Sequence, residues 1–149
     1  MEARHRDTIR PDATVIAFDF GARRIGVAVG NTIVRAAQPL TTIEADASTA
    51  RFEAIAALIG EWQPQRLVVG IPLHADGSEH EMTARARRFA RQLAGRFRLP
   101  VAEVDERYTT ELAQSELDAQ GAGREGRKRR DAVAAQLILQ AWFDDPAHA

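Results

Sequence analysis

The sequence predicts one α/β domain built on a mixed five-stranded sheet, three antiparallel strands and then alternating helix and strand, with helices on its faces. Three observations carry that expectation. Residues 14–43 read as strands joined by short turns, with no helical period. From residue 48 onward, helical and strand patterns alternate, as they do where a chain returns to the same sheet. The length of 149 residues suits one core and leaves little for a second.

The elements follow in order. Residues 1–13 read as a flexible N-terminal tail closed by Pro11 and Asp12. Residues 14–20 form a strand, Gly21 to Arg24 a turn, and residues 25–29 a second strand, together a hairpin. Residues 33–43 make a third strand, weakened by Pro39. Ser48 is the expected cap of a helix reaching Trp62, with Phe52, Ile55, Ala56 and Ile59 on one face, and Pro64 stops it. Residues 66–70 are a short apolar strand of the kind buried on both faces, followed by a loop from Ile71 to Gly77. Ser78 and Glu81 match a capping box, which places a second helix from there to Phe97. Residues 100–104 are the fifth strand. Thr109 or Thr110 caps a further helix to Ala119, and Gly121 and Gly123 break it into a flexible basic loop at 121–128. A last helix over residues 129–143 points Val133, Leu137, Ile138 and Trp142 inward. The domain thus spans residues 14–143, with 144–149 a C-terminal tail.

Composition narrows the class. An apolar fraction of 45% and a charged fraction of 28% are ordinary for a globular protein. The absence of cysteine removes disulfides and thiolate metal sites and favours a cytoplasmic home. No signal-peptide core opens the chain and no run of about 20 apolar residues is present, so no membrane partner is expected. The net charge is −1, but the arginines are grouped. One group is Arg85, Arg87, Arg88, Arg91, Arg96 and Arg98; the other is Arg124, Arg127, Lys128, Arg129 and Arg130. Such patches either grip phosphates or are simply solvated faces.

Three acids stand out. Asp19 interrupts an apolar strand one residue before a glycine turn, where a buried carboxylate needs a cation or a set of backbone donors. Gly21 permits the tight turn, and Gly26 removes a side chain facing whatever approaches the hairpin. Asp105 and Glu106 follow the fifth strand at a strand end, where sites assemble in α/β sheets. Neighbours in extended chain point to opposite faces, so only one of them can share a pocket with Asp19. Spacing leaves the choice open. Asp131, at the expected start of the last helix, is either a helix-dipole acid or a third site carboxylate. The histidines offer no general base: His5 and His148 are terminal and His74 and His80 flank a loop, all expected on the surface.

Four segments together are specific. Asp19-Phe-Gly-Ala-Arg-Arg-Ile-Gly-Val-Ala28, Val69-Gly-Ile-Pro-Leu73 with Asp76-Gly-Ser-Glu79, Asp105-Glu-Arg-Tyr-Thr-Thr110 and Asp131-Ala-Val-Ala-Ala135, in this order, closely resemble the YqgF/RuvX family over residues 14–143. These small bacterial proteins are described as Holliday-junction resolvases or as nucleases for the 5′ end of pre-16S ribosomal RNA. The resemblance implies a ribonuclease-H-like fold and a metal-dependent endonuclease. It selects Asp19, Glu106 and Asp131 as catalytic and metal-binding acids, and so Glu106 over Asp105. Related resolvases often carry a further acid one helical turn after the last; this chain has Ala134 there.

Mg²⁺ or Mn²⁺ is the implied cofactor, because converging carboxylates repel one another without a cation. Arg23, Arg24, Arg107, Thr109, Thr110, Arg127, Lys128, Arg129 and Arg130 are the candidate contacts to nucleic acid, whether structured RNA or branched DNA. Ribosomal precursor particles are expected partners of an RNA-trimming enzyme, and a homodimer is expected of one that cuts a junction symmetrically. Two other readings share this fold: a non-catalytic RNA-binding factor of ribosome assembly, and an ATP-binding actin-like protein.

Overall fold

The computed structural model describes residues 13–44, 47–109 and 123–148. Strands β1 (Thr14–Phe20), β2 (Arg24–Asn31) and β3 (Ala37–Glu44) run antiparallel in sequence. Helix α1 (Ser48–Trp62) leads to β4 (Arg66–Ile71), which pairs parallel with β1, and helix α2 (Thr83–Phe97) leads to β5 (Val101–Asp105), parallel with β4. A single 3₁₀ turn, Glu106–Thr109, follows β5, and helix α3 (Gly123–Asp144) closes the domain. The sheet order is β3-β2-β1-β4-β5, the mixed five-stranded sheet that the sequence predicts.

Strand alternation sorts the side chains into two cores. Ile16, Phe18, Val27, Leu67 and Val69 face α1 and α2, where Phe52, Ile55, Phe89 and Leu93 cover them. Val15, Ala17, Ala28, Val68 and Val104 face α3, which covers them with Ala135, Ile138, Leu139, Trp142 and Phe143. The first core is aromatic at its centre: Phe89 meets Phe18 edge-on at 5.8 Å and lies tilted against Phe20 at 4.8 Å and Phe52 at 6.0 Å. Such contacts add about 0.5–1.5 kcal/mol each beyond area burial.

Several boundaries differ from the sequence reading, each for a local reason. β3 starts at Ala37 rather than residue 33, because the Asn31 side chain accepts from the backbone N–H groups of Ile33 and Val34 and Arg35 turns at φ 57°. Pro39 is tolerated because β3 lies at the sheet edge and the register slips between Val27 and Ala28, leaving Leu40 as the extra residue. No side chain caps α1: Ala47 holds the cap position and Ser48 is the first helical residue. Ala56 is exposed, and Leu58 packs on the core beside Ile59 instead.

The capping box of Ser78 and Glu81 does not form. The Ser78 hydroxyl donates to the Asp76 carboxylate in a turn at Gly77, and α2 begins only at Thr83. The Thr83 hydroxyl accepts from the His80 N–H and donates to the Pro72 carbonyl, taking over that end of the helix. The basic stretch 123–128, expected as loop, belongs to α3. On α3, Leu137 is half-buried while Leu139 and Phe143 are fully inside, so the inward face is wider than expected. His148 is not a free surface residue: its ring stacks on Trp142 at 4.5 Å and its Nδ1 lies 2.8 Å from the Trp142 carbonyl. Residues 1–12, and the helix expected over 110–119, lie outside the described residues. No helix among the described residues is long and apolar enough to cross a membrane.

Candidate active site

The α3 face of the sheet carries a row of four positions at the carboxyl ends of β1, β4 and β5. Asp19 on β1 lies directly across from Gly26 on β2. Phe18 pairs with Val69, so the next position on β4 is Gly70. Gly70 pairs with Val104, and Glu106 follows Val104 by two residues, at the same parity. The row therefore reads Gly26, Asp19, Gly70, Glu106. Alternation also resolves the choice between the two neighbouring acids. Val104 packs under α3, so Glu106 turns to that face and Asp105 to the other.

Asp105 is satisfied where it stands. Its carboxylate accepts from the Arg107 backbone N–H at 2.9 Å and from the Arg107 guanidinium at 2.6 Å, and this partner holds its pKa below the usual carboxylate value. Arg107 in turn lies under the Asp76–Ser78 turn: a Cβ on Gly77 would stand 3.0 Å from its guanidinium. The second and third sequence motifs thus meet through Arg107.

Asp19 is in the opposite condition. Asp19 keeps part of its surface open, its carboxyl lies deep among protein atoms, and no hydrogen bond reaches it among the described residues. Burial raises its pKa well above the usual value, and the charges of Glu106 and then Asp131 raise it further. The alternative of a turn residue accepting backbone donors therefore fails. Glu106 is pushed up to about 7, by burial first and by the neighbouring Asp105 second.

The glycines make the row possible. A Cβ on Gly26 would overlap the Asp131 carbonyl, so this position lets α3 lie directly on the sheet. A Cβ on Gly70 would strike the Ile138 methyl group and stand 3.0 Å from the Glu106 carboxylate. Gly70 is the floor on which Glu106 rests.

Asp131 arrives differently from the expectation. With α3 starting at Gly123, it sits more than two turns into the helix, so the helix dipole no longer accounts for it. Its carboxylate accepts from Arg24 Nε at 2.5 Å. Sequence reasoning had no route to this pair, whose members are 107 residues apart. Gly70 was readable in principle, as a glycine inside an apolar strand.

Among the described residues, no group of three His, Asp or Glu side chains is placed to enclose one ion. The pair Asp19 and Glu106 does fit a hard divalent cation: both offer carboxylate oxygens, both are raised in pKa, and among the described residues Asp19 has no hydrogen-bond donor or cation beside its charge. Asp131, held by Arg24, is not part of that set as it stands. Of the remaining candidates, Arg23, Arg127 and Arg129 are exposed and Arg130 is half-buried, while Lys128 pairs with Glu44 at 3.1 Å. Thr110 and the side chain of Thr109 lie outside the described residues.

The domain is thus of the α/β class, with a carboxylate pair at parallel strand ends faced by a helix that carries a third acid, an arrangement of the kind nucleases use. Comparison agrees. The solved structure described as Thermus thermophilus RuvC in complex with a Holliday-junction substrate superposes with a TM-score of 0.55 at 16% identity, over 88% of this chain and 93% of that one. A second Thermus thermophilus RuvC structure gives 0.52 at 15%. These likenesses establish the ribonuclease-H-like fold. The family model described as "RuvX: Holliday junction resolvase" matches residues 13–145, and the chain belongs to that family, a nuclease of this fold. A Nitrosomonas europaea protein with the name "Putative pre-16S rRNA nuclease" is 56% identical over 92% of this chain and 93% of its own length. A Chromobacterium violaceum protein of the same name is 56% identical over 90% of this chain and 99% of its own.

Proposed function

We propose that the chain is a metal-dependent endonuclease that hydrolyses RNA phosphodiesters in maturation of the 5′ end of pre-16S ribosomal RNA, with Asp19 and Glu106 as the residues that hold Mg²⁺ or Mn²⁺. The observation that carries this reading is the Asp19–Gly70–Glu106 row, in which two carboxylates with raised pKa share one face over a side-chain-free floor. A bound divalent ion would neutralise the carboxylates, polarise the scissile phosphate and lower the pKa of water.

The chain's own residues do the rest. The protein packed around the Asp19 carboxyl lowers the local dielectric and strengthens its electrostatics. Glu106, with a pKa near 7, can hold or release a proton at physiological pH. Arg24 positions Asp131 and offers the remaining guanidinium N–H groups to a phosphate oxygen. Arg107, oriented by Asp105 and by the Gly77 turn, is placed to do the same at the other end of the row. Arg127, Lys128, Arg129 and Arg130, and Thr109 and Thr110, supply further phosphate contacts in this reading. It entails a cytoplasmic enzyme acting on ribosomal precursor particles.

The ribosomal substrate rests on the names of relatives more than half identical. The family description favours a second substrate, the four-way DNA junction, whose symmetric cleavage would need a homodimer. The test is cleavage of a ribosomal RNA precursor and of a four-way junction, with Mg²⁺ or Mn²⁺, by wild type and Asp19→Asn. Precursor cleavage lost in the variant supports the proposal, and junction cleavage alone moves the substrate to DNA. Binding of the precursor without cleavage supports the non-catalytic assembly factor. Tight ATP binding without cleavage supports the actin-like reading.

A further inference from the structure

We infer that the outward face of α2, with Arg85, Arg88 and Arg91, is a second nucleic-acid surface that holds a double-stranded segment flanking the cleaved strand. The inference rests on the nuclease reading and adds to it the class of substrate: one with a duplex arm.

The helix carries five arginines and no acid over Thr83–Phe97, in a chain whose net charge is −1. Its inward face is used up by Ala86, Phe89, Ala90 and Leu93 in the core. Two of the arginines have structural work. Arg87 bonds Glu79 at 3.0 Å and approaches Glu103 at 3.9 Å, and Arg96 lies over the Phe52 ring at 4.1 Å. Arg85, Arg88 and Arg91 are exposed, and among the described residues none has an acidic partner. Three like charges on one side of a helix, with no core to pack and no acid beside them, make a local positive surface that attracts an anionic partner.

The partner's chemistry follows from spacing and surroundings. The three guanidinium groups recur every third residue, so Arg85 to Arg91 covers about 9 Å of helix axis at 1.5 Å per residue. That matches the rise of two to three nucleotides of a duplex strand at about 3.4 Å each. Small residues flank them: Ala84, just before Arg85, is exposed, and a Cβ on Gly95, one turn after Arg91, would meet nothing, so a backbone can come close. The exposed large apolar residues among those described are Ile33, Val34 and Trp62, none of them on α2. A membrane surface would have no apolar anchor here.

Position connects this face to the acids. Thr83 pins the start of α2 to Pro72, just beyond β4, so the helix begins at the same strand ends that carry Gly70 and Glu106. It covers the opposite face of the sheet from α3. A strand entering the acid row can therefore continue around the carboxyl ends of β4 and β5 onto α2. Arg24 and Arg107, the cations beside the acid row, each share their guanidinium with a carboxylate, so the arginines of α2 would add affinity to what the row supplies.

The experiment compares wild type with the variant Arg85→Gln/Arg88→Gln/Arg91→Gln in binding to a labelled DNA duplex over a salt series, using the full chain. Each lost phosphate contact lowers the salt slope by about 0.9, so the variant should show a slope smaller by about 2 to 3 and at least a tenfold weaker affinity at low salt. The variant Arg85→Lys/Arg88→Lys/Arg91→Lys keeps the charges and should bind within a few-fold of wild type. Cleavage of a short single-stranded oligonucleotide should be unchanged in both variants. Unaltered duplex affinity and slope in the Gln variant overturn the inference. So does a loss of binding confined to phosphatidylserine-containing vesicles, which would assign the face to a lipid surface. Should the Gln variant fail to fold, single Arg88→Glu is read in the same assay, with the same two outcomes. Because binding is read without cleavage, failure of the Asp19 assay leaves this result interpretable.

Discussion

Glu106 concentrates the chemistry of the site in one titration. Its pKa is raised from the ordinary glutamate value to about 7, so the folded protein binds its proton more tightly than the unfolded chain does. Stability therefore falls as pH rises from the unfolded pKa toward 7 and levels off above it, with a total change of up to about 3 kcal/mol. Thermal melts of the metal-free protein should show a higher Tm near pH 5 than near pH 8, and Glu106→Gln should flatten that slope. A divalent ion binds the ionised form, so Mn²⁺ should raise Tm more at pH 8 than at pH 5. A second residue-scale expectation concerns Arg24, whose charge lies beside the acids and occupies Asp131. Arg24→Met removes a competing cation and frees a carboxylate, so Mn²⁺ affinity measured by calorimetry should rise by about threefold or more while phosphate affinity falls. Asp19 and Asp131 stood out locally, as a carboxylate in an apolar strand and one beside a basic run, whereas Glu106 was separated from Asp105 only by the family resemblance. The partners of these acids were not legible. Arg24 meets Asp131 only once the whole sheet and α3 are assembled.

At the scale of elements, two strand glycines separate stability from function. Gly26 faces backbone: its Cβ would overlap the Asp131 carbonyl, which cannot move without α3. Gly26→Ala should cost about 1–3 kcal/mol in urea denaturation by lifting the helix. Gly70 faces the ends of two flexible side chains, Ile138 and Glu106. Gly70→Ala should therefore unfold little more easily than wild type while losing most activity, because Glu106 must shift. An equal loss of stability in the two variants would contradict this account. The strands and α1 were readable because alternation and apolar runs carry their own signal. The start of α2 was misread because Ser78 and Glu81 match a cap by spacing, whereas the Asp76 turn claims the Ser78 hydroxyl. The start of α3 was misread because glycines and charges at 123–128 look like loop. Helix-to-sheet contacts through Gln136 and Gln140, which bond the backbone of Ala37 and Arg35, are invisible in a local pattern.

For the molecule as a whole, the division into two faces organises function. One face stacks α1 and α2 on an aromatic core centred on Phe89, and the other lays α3 along the acids. Phe89→Ala should cost about 3–5 kcal/mol by thermal or urea denaturation. Metal affinity of the remaining folded fraction should be unchanged, since Phe89 lies across the sheet from Asp19. The facing of Glu106 follows from strand parity once the sheet order is known, and the order itself depends on parallel pairings between strands some fifty residues apart in the chain, such as Ile16 with Leu67. The family resemblance named the fold and the elements that carry the acids, but the pairing of the strands was not legible in the sequence.

The most direct measurement of the central claim is the rate of ribosomal RNA precursor cleavage against Mn²⁺ concentration at pH 8, for wild type and Glu106→Gln. Wild type should show saturable, metal-dependent cleavage that chelation abolishes, and the variant should be slower by at least about a hundredfold at every concentration. Cleavage that persists after chelation, or a variant that cuts as fast as wild type, would contradict the account.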